Sequence, residues 1–177
     1  NWPWDGFVHA VLLMSANMWG WECMAQCFSV MGNPILGMLL YFQNWFVATL
    51  FCGFVFRPSD VIWPFRLFYY IMPFSWLFNG LSYQIFFASN YEGTVRCTNP
   101  DPSVCPRPFT CPGDASGGLE CWGANGNEIL TTASTLYEVV TAEDKFGLDL
   151  GILIAQAVVW KLFYFMTLYS KCTKVVT

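Results

Sequence analysis

Charge is scarce in this sequence. Its 177 residues include only 8 Lys and Arg and 12 Asp and Glu, so 11% are charged and the formal net charge is −4. Ordinary soluble domains carry about 25% charged residues, and a chain this poor in charge cannot keep a water-facing shell around a globular core. A soluble enzyme is all but excluded. The scarcity is concentrated in long stretches. From Phe7 to Phe56 the only charged residue is Glu22, apart from the titratable His9, and from Val61 to Tyr91 the only one is Arg66. Stretches of that length without charge need lipid. Lys and Arg never gather into a groove-sized patch, so nucleic acid is not an expected partner. A Gly-x-x-x-x-Gly-Lys-Ser/Thr phosphate loop is also missing, and with it any nucleotide engine on this chain. With a single histidine, no catalytic constellation can be built, so no catalytic residue is expected here. The chain opens on Asn1-Trp2-Pro3-Trp4-Asp5, with neither an initiating Met nor a basic signal region, and reads as an internal or C-terminal piece of something longer.

What the sequence has is apolar and aromatic surface, 55% and 19% of its residues. A bilayer core of about 30 Å needs roughly 20 apolar residues as helix, and three stretches reach that length, at about 7–31, 35–56 and 148–169. The breaker Gly32-Asn33-Pro34 joins the first two as an antiparallel hairpin. The segment at about 60–88 is apolar and aromatic too, but Pro64 and Pro73 interrupt it. It reads as short re-entrant or interfacial helices dipping into one leaflet, against the alternative of a short fourth span from Phe74 to Ala88.

From about 90 to 145 the composition changes to Asn, Pro, Gly, Asp and Glu, with Cys97, Cys105, Cys111 and Cys121 close together. This reads as a water-exposed loop that is stapled rather than packed, because its apolar content is too low for a core of its own. No Cys-x-x-Cys pair occurs among the four, which disfavours zinc and favours disulfides. Four cysteines allow three pairings, and spacing does not choose among them. Cys23, Cys27 and Cys52 fall in spans and read as small buried hydrophobes. An oxidised loop lies outside the cell, and the crossing after it puts the C-terminal Lys171 and Lys174 inside, in accord with the positive-inside rule. The fold class expected is therefore all-α integral membrane: three transmembrane helices, Pro-broken re-entrant helices and a disulfide-stapled extracellular loop, in the plasma membrane with a cytoplasmic C-terminus.

This order of parts resembles the C-terminal half of the ABC-2 type transmembrane domain of a G-subfamily ABC transporter, the white and pleiotropic-drug-resistance type. The likeness is carried by Leu50-Phe51-Cys52-Gly53-Phe54, by Trp63-Pro64-Phe65-Arg66-Leu67-Phe68-Tyr69-Tyr70-Ile71-Met72-Pro73-Phe74 and by Cys121-Trp122-Gly123 followed by Glu128-Ile129-Leu130. Leu148-Asp149-Leu150-Gly151-Ile152-Leu153 and Trp160-Lys161-Leu162-Phe163 extend it. The resemblance implies that the three spans are the last three of a six-helix domain. Two such domains, in a homodimer, a heterodimer or one chain, face each other across a cavity. ATP and Mg²⁺, held by separate nucleotide-binding domains, drive export of sterol, lipid or xenobiotic. Aligned on Gly53, the resemblance implies Phe42, Phe46 and Thr49 as cavity residues and Phe54 and Val55 as an outer valve. The alternative reading of the chain is a non-transporting membrane protein whose disulfide-rich loop serves as a receptor or adhesion module.

Read without the family, Phe42, Phe46, Thr49 and Gly53 share one helical stripe suited to a greasy, weakly polar ligand or simply to a neighbouring helix or lipid. Gln43 and Asn44 beside them carry amides that seek another helix, water or a ligand. Glu22 and Lys161 are the expensive residues, at roughly 2.5 to 3.5 kcal/mol each against insertion. Both lie about 12 to 14 Å from the cytoplasmic boundary at about 1.5 Å rise per residue, a depth at which they pair if their helices are neighbours. Otherwise Lys161 snorkels and Glu22 is protonated or faces a watery cavity. His9 reads as an interfacial residue.

Overall fold

The computed structural model describes residues 4–87, 89, 95–96, 109–110 and 125–176. The four loop cysteines Cys97, Cys105, Cys111 and Cys121 lie outside the described residues. The chain is mostly helical, with six helices among those residues: α1 (Trp4–Ser29), α2 (Pro34–Leu50), α3 (Arg66–Ile71), α4 (Pro73–Phe86), α5 (Gly126–Leu136) and α6 (Phe146–Val176). Two strands of two residues each, β1 (Val95–Arg96) and β2 (Phe109–Thr110), pair antiparallel, Val95 opposite Thr110.

Among the described residues one helix is long and apolar enough to cross a membrane, the stretch Phe146–Thr173 of α6, with a mean hydropathy of 1.6. At 26 residues α1 has the length, whereas α2 is apolar but has 17 residues, about 26 Å of helix. The hairpin turn between them forms as its sequence dictates. Met31 N–H closes α1 on Phe28 O at 3.1 Å, the Asn33 side chain accepts from Ile35 N–H at 3.0 Å, and Pro34 occupies the first turn of α2 where its missing N–H costs nothing. The helix ends at Leu50, six residues short of the second apolar stretch, because Gly53 takes φ +93°. There is no room for a side chain at that turn either: a Cβ on Gly53 would stand 2.7 Å from Val139 Cβ and 2.9 Å from the Tyr69 ring.

The prolines break the next segment into α3 and α4. Pro73 has no N–H to give Tyr69 O, and the Ser75 hydroxyl takes its place, shared between Tyr69 O at 2.6 Å and Met72 O at 2.9 Å. Trp76 Nε1–H donates to Tyr70 O at 3.0 Å, and Gln156 Nε2 of α6 donates to Ile71 O at 2.8 Å. Four consecutive carbonyls at the break are thus satisfied by side chains.

The core lies where α1, α4 and α6 meet. Helix α6 runs parallel to α1: Phe146 stacks on His9 near their starts, Gly20 and Ala157 meet midway, and the Lys171 ammonium donates to Val30 O at the far end. Leu13, Ala16, Leu77 and Leu153 form one buried cluster, and Trp21, Met24, Ala48 and Met72 another. Small residues at the α1–α6 seam let the two backbones approach. A third cluster, Leu130, Ala133, Val139 and Val140, packs under Tyr69, Phe78, Tyr83 and Phe86. That cluster departs from the composition-based expectation of an unpacked loop. Residues 126–140 have no core of their own, but they borrow the aromatic faces of α3 and α4.

Candidate functional site

The structure places the expected cavity stripe on a sparsely covered helix. Only Gly37 and Ala48 of α2 are buried, while Phe42 is 53% and Phe46 60% exposed. The side of α2 that meets α1 carries Gly37, Tyr41 and Ala48, with Tyr41 set edge-on to Trp21 at 6.0 Å. Thr49 is half-buried and spends its hydroxyl on Trp45 O at 3.0 Å, as the hydroxyl of a helical threonine commonly does. Gln43 is exposed, and Asn44 donates to Leu40 O at 3.0 Å within its own helix. An apolar groove of about 290 Å³ opens between the hairpin arms, lined by Phe28, Pro34, Gly37, Met38 and Tyr41 among others.

Phe54 and Val55 stand on the turn beyond α2 rather than on the helix, both exposed. Phe54 is nevertheless held. Its ring meets Phe78 of α4 edge-on and Tyr137 at the end of α5, each at 5.2 Å between centroids. Tyr69 backs this corner, its ring 2.9 Å from where a Cβ on Gly53 would stand.

The structure brings Glu22 and Lys161 together through a third residue. Lys161 Nζ donates to Gln26 Oε1 at 2.6 Å, and Gln26 Nε2 donates to Glu22 Oε1 at 3.1 Å. The charges are thus linked in a line, with the amide turned so that each end meets the group it suits. The Lys161 ammonium also lies 5.2 Å from the Tyr164 ring centre, a cation–π contact that partly replaces lost water. Since α1 and α6 are neighbours, Gln26 occupies the place a direct ion pair would have taken.

Two polar groupings went unmarked in the sequence. Asp149, wholly buried in the first turn of α6, accepts from Asn79 Nδ2 at 3.4 Å, and Asn79 Oδ1 accepts from the Thr141 hydroxyl at 2.7 Å. Gly80 makes room for this carboxylate: a Cβ there would sit 3.1 Å from Asp149 Oδ2 and 2.8 Å from Leu13 Cδ1. His9, expected at an interface, is half-buried, stacked 4.1 Å from Phe146 and bonded through Nδ1 to Gln84 Oε1 at 3.2 Å. The second grouping is Asn17, Trp21 and Gln156, between α1 and α6. A carboxylate inside an otherwise apolar run was the available signal for Asp149. Asn17 and Gln156 carry no such signal until their helices are docked.

Cys23 and Cys52 are buried free thiols, Cys27 is half-buried and Cys172 exposed. Among the described residues no three His, Cys, Asp or Glu side chains gather as metal ligands would. Comparison with protein-family models, with curated proteins and with solved structures gives no match to this chain.

Proposed function

We propose that this chain is the membrane-embedded part of an ATP-driven exporter that moves lipidic or amphipathic molecules by alternating access. The observation that carries the reading is the bare stripe of α2. Phe42 and Phe46 are exposed, and the helix ends at a glycine turn that leaves Phe54 and Val55 exposed at the same end. In this reading α1, α2 and α6 cross the membrane, α3 and α4 form the re-entrant segment, and the stripe faces a second transmembrane domain across a cavity. Aromatic faces with one hydroxyl, Thr49, would grip a greasy and weakly polar molecule without binding it tightly. Phe54 and Val55 would close the outer end until the two domains rearrange. The Asn90–Lys145 segment is then outside, stapled by its cysteines, and the C-terminus is cytoplasmic, with the plasma membrane as the fitting location.

The residues of this chain do not suit nucleotide or Mg²⁺, since the phosphate loop is missing from the sequence. ATP chemistry therefore belongs to nucleotide-binding domains outside this segment. The chain's own part is to bind, to orient and to exclude water.

The test is ATP-dependent accumulation of fluorescent sterol, fluorescent phospholipid and a cationic dye in inside-out vesicles holding the full-length protein. We expect ATP to drive uptake of at least one probe and Phe46→Ala to reduce or redirect it about tenfold, the scale of 1.4 kcal/mol of lost contact. Uptake that is indifferent to ATP for all three probes, with the protein present in the membrane, would sink the reading.

A further inference from the structure

Three residues that each carry a buried polar atom without a protein partner line a single cavity between α1 and α6. The atoms are Asn17 Oδ1, Trp21 Nε1 and Gln156 Oε1. Asn17 is 4% and Trp21 5% exposed. Gly20, Pro73, Leu153 and Trp160 help to complete the walls, and the cavity has a volume of about 10 Å³, room for the centre of one water molecule. Pro73 contributes no N–H, and Gly20 contributes no side chain, so neither can supply the missing bonds.

We infer that this cavity is a binding site for one structural water that joins α1 to α6 near the middle of both helices. The inference is independent of the transport reading. The chemistry selects water by its donor count. Two acceptors and one donor converge, and water gives two hydrogens while accepting one. An anion would face two amide oxygens and a cation would face the indole N–H, while a ligand hydroxyl has one hydrogen for two acceptors. The Gln156 amide cannot turn to relieve the mismatch, because its Nε2 is committed to Ile71 O at 2.8 Å. Turning the Asn17 amide would change the set to two donors and one acceptor, which water satisfies equally. Three unpartnered polar atoms away from solvent would otherwise be among the costliest features of the fold.

The test turns on a sign. In the full-length protein, Asn17→Leu removes one of the water's three partners while keeping the branching and the number of side-chain heavy atoms, and the unfolding midpoint in lipid should fall by about 2 to 4 °C. Adding Gln156→Leu should then cost less than it does alone, because both changes act through the same water. A dry cavity gives the opposite result: Asn17→Leu would relieve an unpartnered acceptor and raise the midpoint, which overturns the inference. Should the variants fail to accumulate, a map of the unaltered protein at a resolution that shows ordered water decides. A peak within hydrogen-bond reach of all three atoms supports the inference. Direct Asn17–Gln156 bonding, or a lipid atom in the space, overturns it.

Discussion

Helices α2 and α6 are both apolar, yet their surroundings differ. Helix α6 buries Asp149, Leu153 and Ala157 where it meets α1 and α4 and exposes Leu162, Phe163, Phe165 and Met166 farther along, whereas α2 buries only Gly37 and Ala48 and leaves Ile35, Met38, Leu39, Phe42, Trp45 and Phe46 exposed along its whole length. Large apolar side chains do not distinguish a covered face from an open one in such a chain, since they stand on both. The small and polar residues make the distinction. Where α1, α4 and α6 meet they are Ala16, Gly20, Gly80, Asn17 and Asp149. On α2 the two buried residues, Gly37 and Ala48, are small as well.

The largest effect is expected at Gly80. Gly80→Leu drives a side chain into Leu13 and the buried Asp149 carboxylate, whereas Gly151, on the outer side of α6, has nothing within 4 Å of its Cβ position. Overpacking costs about 1–3 kcal/mol and more where a polar group is displaced, so G80L should abolish recovery of monodisperse protein in detergent while G151L is recovered normally. Equal recovery of the two would mean that the three helices do not meet as described. A smaller effect is expected at the proline break. Ser75→Ala leaves Tyr69 O and Met72 O without their shared donor, at about 1–3 kcal/mol, read as a lower unfolding midpoint in lipid. The smallest is on α2. Phe46→Ala should change stability by no more than about 0.5 kcal/mol, the range of an exposed site, while altering transport if the proposed function holds. A large loss of stability there would show that α2 is covered after all.

Much of the helical order was legible in the sequence, for reasons that are local. Gly32-Asn33-Pro34 makes its own turn, Pro73 ends α3 whatever surrounds it, and the last apolar run of about 148–169 lies inside the observed α6, Phe146–Val176. The early end of α2 was less legible, because it depends on Val139 and Tyr69 crowding Gly53 from distant parts of the chain. Counting rise per residue put Glu22 and Lys161 at one depth, but Gln26, one turn from Glu22, was overlooked as the group between them. Composition misjudged residues 126–140. Leu130, Ala133, Val139 and Val140 are too few for a core alone, and nothing local shows that Phe78, Tyr83 and Phe86 will lie over them. Asn17, Trp21 and Gln156 belong to the same category, since their convergence exists only after α6 docks on α1.

The aromatic corner at Phe54 has a mechanical consequence. One ring joins the tail of α2 to α4 through Phe78 and to the end of α5 through Tyr137, while Ser59 N–H beyond it is tied to Glu138 Oε2 at 3.2 Å. Close-packed rings move together or must repack. Helix α5 also packs through Leu130 and Ala133 on Phe78, Tyr83 and Phe86, so a displacement of α5 is shared at once between α4 and the tail of the helix that carries Phe42 and Phe46.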